Sequence, residues 1–403
     1  MTALLLQGAR VIDPTGPVDE VADVLIDDGR VRQVGPSLVP PPGGECVDLR
    51  GTMVIPALVD LHAHVMAGLG DFCVEADSIG VDLGVPVVVD GGTSGVSTFD
   101  ICRRAVIDHP LVRTRVLAFM DPNRIYLATG DFICHKLEIA NDLRNLDVEA
   151  LAAAVERNAD VVVGFKVRAC HVGDPLHSPF LAAALEVADA RPVMVHLGRF
   201  PHTPTITPAA LLDALRPGDI ITHAFRGASG LLGPDGRPTP QLREAVARGV
   251  LLDMGHSATD FRFSEARRLM DHGYRPFTAS TDLNVFNVGG PVFSYLENLT
   301  KLLALGCTLP EVVEVATTNP ARAIGWDGRL GSVAPGCPAE LSVISLSDEG
   351  PVPVSDGVEP LMAPGAVVPV GCVRDGVWIP ARRPASFASA GPTWGVGSGG
   401  PVG

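Results

Sequence analysis

Apolar positions along this chain follow two different rhythms. Over residues 1–50 they alternate with polar ones, in Leu4–Val11, Val21–Ile26 and Val31–Val34. A period of two buries one face of a strand and leaves the other in water. Asp28-Gly29, between the second and third runs, is a strong hairpin turn, so short antiparallel strands are predicted here. Similar signals return in Gly331–Gly336 and Ala339–Leu346. The two strand-rich pieces, 1–50 and 329–383, predict one small β-sandwich domain built from both termini. Residues 384–403, rich in Gly, Ser, Ala and Pro, read as a poorly ordered tail.

Residues 51–328 keep a longer rhythm, in which continuous apolar runs alternate with helix-like stretches. The apolar runs number eight: Met53–Leu61, Val85–Asp90, Thr114–Phe119, Val161–Val167, Pro192–His196, Ile220–His223, Val250–Met254 and Phe277–Thr281. Helices are predicted between them over Val148–Asn158, Pro179–Ala190, Pro208–Leu215, Pro240–Arg248 and Ser264–His272. Parallel strands with intervening helices in this number predict an α/β fold, the (β/α)8 TIM barrel, whose catalytic residues sit at the C-terminal ends of its strands.

Composition agrees and narrows the partners. A chain of 403 residues can hold a barrel of roughly 250 residues with an accessory domain. Hydrophobic residues make up 46% and aromatics only 5%, which suits buried strands against closely packed helices. A net charge of −15 and the lack of a basic cluster argue against nucleic acid or anionic membrane as a partner. The eight cysteines are scattered with no Cys-x-x-Cys spacing, the pattern of reduced cytosolic thiols. Met1–Leu6 lacks the charged and long apolar regions of a signal peptide, and no apolar run approaches a membrane span. The protein reads as soluble and cytoplasmic.

The strand ends carry the chemistry. His62-Ala63-His64 closes the first run, and residues two apart on a strand share a face, so the two imidazoles can grip one metal ion. Lys166 interrupts the fourth run, His196 ends the fifth, His223 the sixth, and Asp282 follows the eighth. A polar side chain in such apolar surroundings is costly unless it is paired or metal-bound. Arginines recur just beyond strand ends, at Arg124, Arg168, Arg199 and Arg226. The guanidinium fork suits a carboxylate, so Arg168, Arg124 and Arg199 are candidate contacts for a small anionic substrate. His256, after the seventh run, is a further candidate, either as a substrate contact or as support behind the metal ligands. Gly91-Gly92-Thr93-Ser94-Gly95 reads as a loop with exposed N–H groups, a weak anion-binding signal.

Together these residues resemble the motif set of the amidohydrolase superfamily of metal-dependent hydrolases. The likeness spans most of the chain, from the N-terminal strands to about Leu346. It is nearest the amidohydrolase/deacetylase branch related to dihydroorotase, on the segments Asp90–Gly95, Gly164–Ala169, Asp253–His256, Ser280–Leu283 and Thr318–Arg322. The resemblance implies two divalent metal ions, with His62, His64 and Asp282 on the more buried one and His196 and His223 on the other. It implies that Lys166 is carboxylated by CO2 to a carbamate that gives one oxygen to each metal. Zinc is the leading ion for imidazole and carboxylate ligands.

Such a pair lowers the pKa of a shared water to about 7, giving hydroxide, while Asp282 carries a proton from it to the leaving group. The implied function is hydrolysis of an amide or ester bond in a small, carboxylate-bearing substrate, by a homo-oligomer. Cytosine-deaminase-like relatives use one metal and a Glu after the fifth-strand histidine; here Leu197-Gly198-Arg199-Phe200 follows His196, which favours the binuclear hydrolase. Two alternatives stand beside it: a cyclic amidohydrolase of the dihydroorotase or dihydropyrimidinase type, and a catalytically silent barrel serving binding or assembly. The stretch Gly255–Asp260 is more polar than near relatives lead one to expect, which bears on the substrate.

Overall fold

The structure is a computed structural model that describes residues 3–16, 18–125, 142–198 and 204–382. Its first strands follow the alternating pattern: Leu4–Asp13 (β1) pairs antiparallel with Val18–Asp27 (β2), and β2 with Arg30–Gly35 (β3). Asp28 and Gly29 between them both take positive φ, 52° and 68°, as a two-residue hairpin turn with the twist of its strands requires. Glu45–Asp48 (β4) and Met53–Pro56 (β5) each pair parallel with β1.

The next seven strands form one parallel sheet: Val59–Ala63 (β6), Val87–Gly95 (β7), Arg115–Asp121 (β8), Val162–Val167 (β9), Val193–His196 (β10), Ile220–Thr222 (β11) and Leu251–Leu252 (β12). They lie in chain order across the sheet. Residues of alternate parity divide between two apolar clusters. Val59, Val87, Val89, Leu117, Phe119, Val163, Met194 and Ile220 pack in one. Val88, Val116, Ala118, Val162, Val193, Val195 and Ile221 pack in the other, against helices such as Val148–Arg157 and Pro179–Val187. The expected eighth strand, Phe277–Thr281, forms no continuous ladder: Thr278 makes a single parallel bridge to Asp253, and Leu283, just beyond it, one to Ala63.

Three of the helices start where Ser or Thr precedes Pro. Ser178, Thr207 and Thr239 each accept a backbone N–H with the side-chain oxygen, and a proline follows at the first turn, where its missing N–H costs nothing. Beyond the expected elements come the helices Tyr295–Ala304, Leu309–Ala316 and Thr318–Ala323. Leu341–Leu346 (β13), Val367–Arg374 (β16) and Val377–Pro380 (β17) return to the first sheet, giving the order β17-β16-β13-β5-β1-β2-β3 with β4 beside β1. Between them Val352–Ser355 (β14) and Pro360–Ala363 (β15) form a hairpin.

The terminal strands hydrogen-bond into one eight-stranded sheet, with an apolar cluster of its own drawn from both ends of the chain. The run Met53–Leu61 is two strands: β5 joins the terminal sheet through β1 and β13, and only β6 belongs to the parallel one. The handover falls at Ala57-Leu58, past the expected boundary at residue 50. Among the described residues no helix is long and apolar enough to cross a membrane, and the cysteines described are free thiols.

Candidate metal centre

His62 and His64 owe their aim to an irregularity in β6. Three residue steps from Asp60 to Ala63 face two on β7, from Val88 to Asp90, so one residue is extra. Such a bulge re-aims side chains, and here Leu61 stays in the inner apolar cluster while His62 and His64 turn toward Asp282. Asp60 fixes the partner segment: its carboxylate accepts from the Thr281 hydroxyl at 2.5 Å and the Thr281 N–H at 3.1 Å. Asp282 N–H donates to His62 O at 2.6 Å, and the Asn284 and Asn287 amides donate to Asp282 O at 2.8 and 2.7 Å. Asp282 is thereby held at φ 53°, a left-handed conformation that few non-glycine residues adopt; His223, at φ 64°, shares it.

The nitrogens and oxygens converge in two groups. His62, His64 and Asp282 place one ligand atom each within 4.8 Å of one another, and so do His196, His223 and Asp260. Asp282 Oδ1 lies 3.3 Å from His62 Nε2 and 2.9 Å from His64 Nε2. The other ring nitrogens are already engaged: His62 Nδ1 with Thr222 Oγ1 at 3.1 Å, His64 Nδ1 with Thr93 Oγ1 at 2.7 Å, and His223 Nδ1 with Gly255 O at 2.5 Å. A carbonyl only accepts, so His223 carries its proton on Nδ1 and presents a bare lone pair on Nε2. That Nε2 is buried and has no hydrogen-bond partner. Burial pushes the His62, His196 and His223 pKa values down, helped at His62 and His196 by neighbouring cations, so these rings are neutral and able to ligate. An orphaned ring nitrogen beside two His-His-carboxylate groups fits divalent cations.

Lys166 stands next to both groups. Its Nζ is 2.9 Å from His62 Nε2, and it shares a cavity lining with His64, His196, His223 and Asp282. Burial first, and the charge of Arg168 second, lower its pKa to about 7 against the pull of Asp282 and Asp121. The neutral amine is thus accessible near neutral pH. Asp282 is the opposite case. Burial raises its pKa, but His62 and His64 outweigh this and hold it well below the usual carboxylate range.

Glycines make room for this packing. A Cβ on Gly91 would fall 2.1 Å from His62 Cδ2, and one on Gly92, at φ 75°, would fall 2.4 Å from Lys166 Cβ. Gly91–Gly95 is therefore the end of β7, passing close under the site, and the expected anion-binding loop is absent there. Gly91→Ala should displace His62, weaken metal binding at least about tenfold and cost roughly 1–3 kcal/mol of stability. Metal titration and thermal unfolding would read both; two unchanged values would show that His62 has room to spare.

The remaining candidates separate. Arg168 is buried at the cavity and donates from Nη1 to Asp121 Oδ2 at 3.1 Å. Asp121, raised to about 6 by burial against the Arg168 charge, is a partner that sequence reading missed. His256 lies outside the cavity lining: its ring is buried against Phe261, with Nε2 3.0 Å from Lys301 Nζ. The place expected for it is taken by Ser257 and Ala258. Arg124 is half-exposed, 3.4 Å from Asp147, and also outside the lining. Arg199 lies outside the described residues. Asp260, beside His196 and His223, was not among the expected site residues, although the unusual polarity of Gly255–Asp260 pointed to that loop.

Imidazole and carboxylate ligands in two groups, gathered round a buried lysine at one end of a parallel sheet, define a metal-dependent hydrolase. Residues 262–379 match the Amidohydrolase family. The chain is 32% identical to a deacetylase of Agrobacterium fabrum over 321 residues, 77% of this chain and 75% of that one. It is 31% identical to a deacetylase of Brucella anthropi over 341 residues, 82% and 81% of the two chains. A crystal structure of a dihydroorotase superposes with a TM-score of 0.83 at 27% identity, covering 95% of this chain and 100% of that one. The chain belongs to the amidohydrolase family, and it is a hydrolytic enzyme acting on C–N bonds.

Proposed function

We propose that this protein is a binuclear hydrolase that deacylates a small, carboxylate-bearing amide or ester. The observation that carries the reading is the pair of ligand groups flanking Lys166 in one cavity. His62, His64 and Asp282 would hold one cation and His196 and His223 the other, with zinc the ion best matched to these donors. Neutral Lys166 attacks carbon dioxide, forming an N–C bond and releasing a proton; its carbamate then offers two anionic oxygens to the centre. When bound, the cations supply Lewis acidity, which acidifies water and polarises a carbonyl. Asp282, ionised and in the cavity, takes the proton from the attacking water and passes it to the leaving nitrogen or oxygen. Arg168 receives the substrate carboxylate. The seven parallel strands with 277–283 make up a (β/α)8 barrel, and the terminal sheet, with its separate apolar cluster, is a second domain.

The cavity, about 190 Å³, suits a small acylated amino or hydroxy acid. A ring substrate is the second reading, favoured by the likeness to a dihydroorotase structure. Turnover of a panel of N-acetyl and O-acetyl carboxylates beside dihydroorotate and hydantoins decides between them. Higher kcat/KM on the rings would overturn deacylation, and less than one tightly held metal per chain would remove the metal reading altogether. Arg168→Ala should raise KM for carboxylate substrates roughly 10- to 100-fold, the effect of one charge-assisted contact, and any fall in kcat would report its second effect, on Lys166. An unchanged KM takes Arg168 out of substrate binding.

A further inference from the structure

The second histidine pair has a carboxylate of its own. Asp260, buried and on the cavity lining, brings an oxygen within 4.8 Å of the ring nitrogens of His196 and His223. The arrangement repeats the chemistry of His62, His64 and Asp282: two imidazoles and one carboxylate. Its second mark is His223 Nε2, on a residue only 1% exposed, buried without any hydrogen-bond partner. A bare lone pair in that position is costly unless something positive occupies the space between the three groups.

Asp260 is held there by a dedicated contact. Arg226 Nη2 lies 3.0 Å from Asp260 Oδ1, and Arg226 Nη1 donates to Leu197 O at 2.7 Å. One guanidinium thus ties Asp260 to the residue that follows His196. Gly198 permits it, since a Cβ there would fall 1.4 Å from Arg226 Nη1. Arg226 occupies only part of the carboxylate, which has about four lone-pair positions. A simple rim ion pair would have no need of two imidazoles beside it.

We propose that Asp260 is a protein ligand of the second divalent cation, together with His196 and His223, and that Arg226 positions it. The inference rests on the binuclear reading and adds to it. The second cation is held by three side chains of its own, so its retention does not depend on Lys166 alone.

Metal content of the full-length chain tests this without reference to activity. Wild type, Asp260→Asn and Arg226→Ala are loaded with excess Zn2+, dialysed against metal-free buffer, and measured for zinc per chain. Cobalt-substituted samples report the ligand field. Wild type should retain two ions and Asp260→Asn one, with affinity at the second site at least about 100-fold weaker and a changed cobalt spectrum. Arg226→Ala should weaken the same site by about tenfold. The ion kept at His62 and His64, with an unaltered circular dichroism spectrum, shows that the isosteric variant is folded. Two ions in Asp260→Asn with wild-type affinity overturn the proposal, and so does loss of both ions together. One ion or fewer in wild type defeats the binuclear reading itself, a failure visible without any substitution.

Discussion

Asp282→Asn should lower kcat/KM by about 10³-fold, within the span of losses seen when a positioned proton carrier is removed. The substitution is nearly isosteric, and the structure gives reason to expect a folded protein. Asn tolerates the left-handed backbone as Asp does, here φ 53°. The main chain at 282 is held by its N–H to His62 O and by the Asn284 and Asn287 amides on its carbonyl, none of which uses the side chain. What is lost is chemical. An amide cannot accept the proton that an ionised carboxylate can, and its neutral oxygen is a weaker metal ligand than the anion 2.9 Å from His64 Nε2. Steady-state kinetics and metal content check this together. A variant within about tenfold of wild type, with full metal content, would place the proton carrier elsewhere.

Much of this site is legible in the amino-acid sequence because its polar residues interrupt apolar runs. His62, His64, Lys166, His196, His223 and Asp282 each stand where burial without a partner is costly, and the fold brings all of them to one cavity or its wall. Asp260 and Asp121 were hidden for the converse reason. They follow irregular chain or end a strand, where an acid is unremarkable until Arg226 and Arg168 are seen beside them. His256 shows that position after a strand does not fix side-chain direction: Lys301, on a helix distant in sequence, lies 3.0 Å from its Nε2.

The same limit acts on the fold. Met53–Leu61 is apolar and buried throughout, so its periodicity could not show that β5 leaves one sheet and β6 enters another. Gly91 and Gly92 carry no chemical signal of their own. Their role appears only when His62 and Lys166 are found occupying the space a Cβ would need.

Lys166→Ala should cost about 10³-fold or more in kcat/KM and weaken retention of both cations, since it would remove the proposed carbamate from between the two ligand groups. The position has been prepared for an uncharged amine. Lys166 is almost wholly buried, and its Nζ lies 2.9 Å from His62 Nε2, where burial and Arg168 bring its pKa to about 7. A permanently protonated lysine would repel the cations that the histidines are placed to hold. As a carbamate the same side chain carries a negative charge and satisfies the site electrostatically. Lys166→Arg should therefore fail as completely as Lys166→Ala, because a guanidinium stays charged and does not combine with carbon dioxide. Added bicarbonate should raise metal retention in wild type and leave both variants unchanged. If Lys166→Ala keeps both ions with wild-type affinity and turns over within about tenfold of wild type, Lys166 is a buried structural lysine and the ligand groups suffice alone. If only the arginine variant retains activity, a fixed positive charge at this position is what the reaction uses.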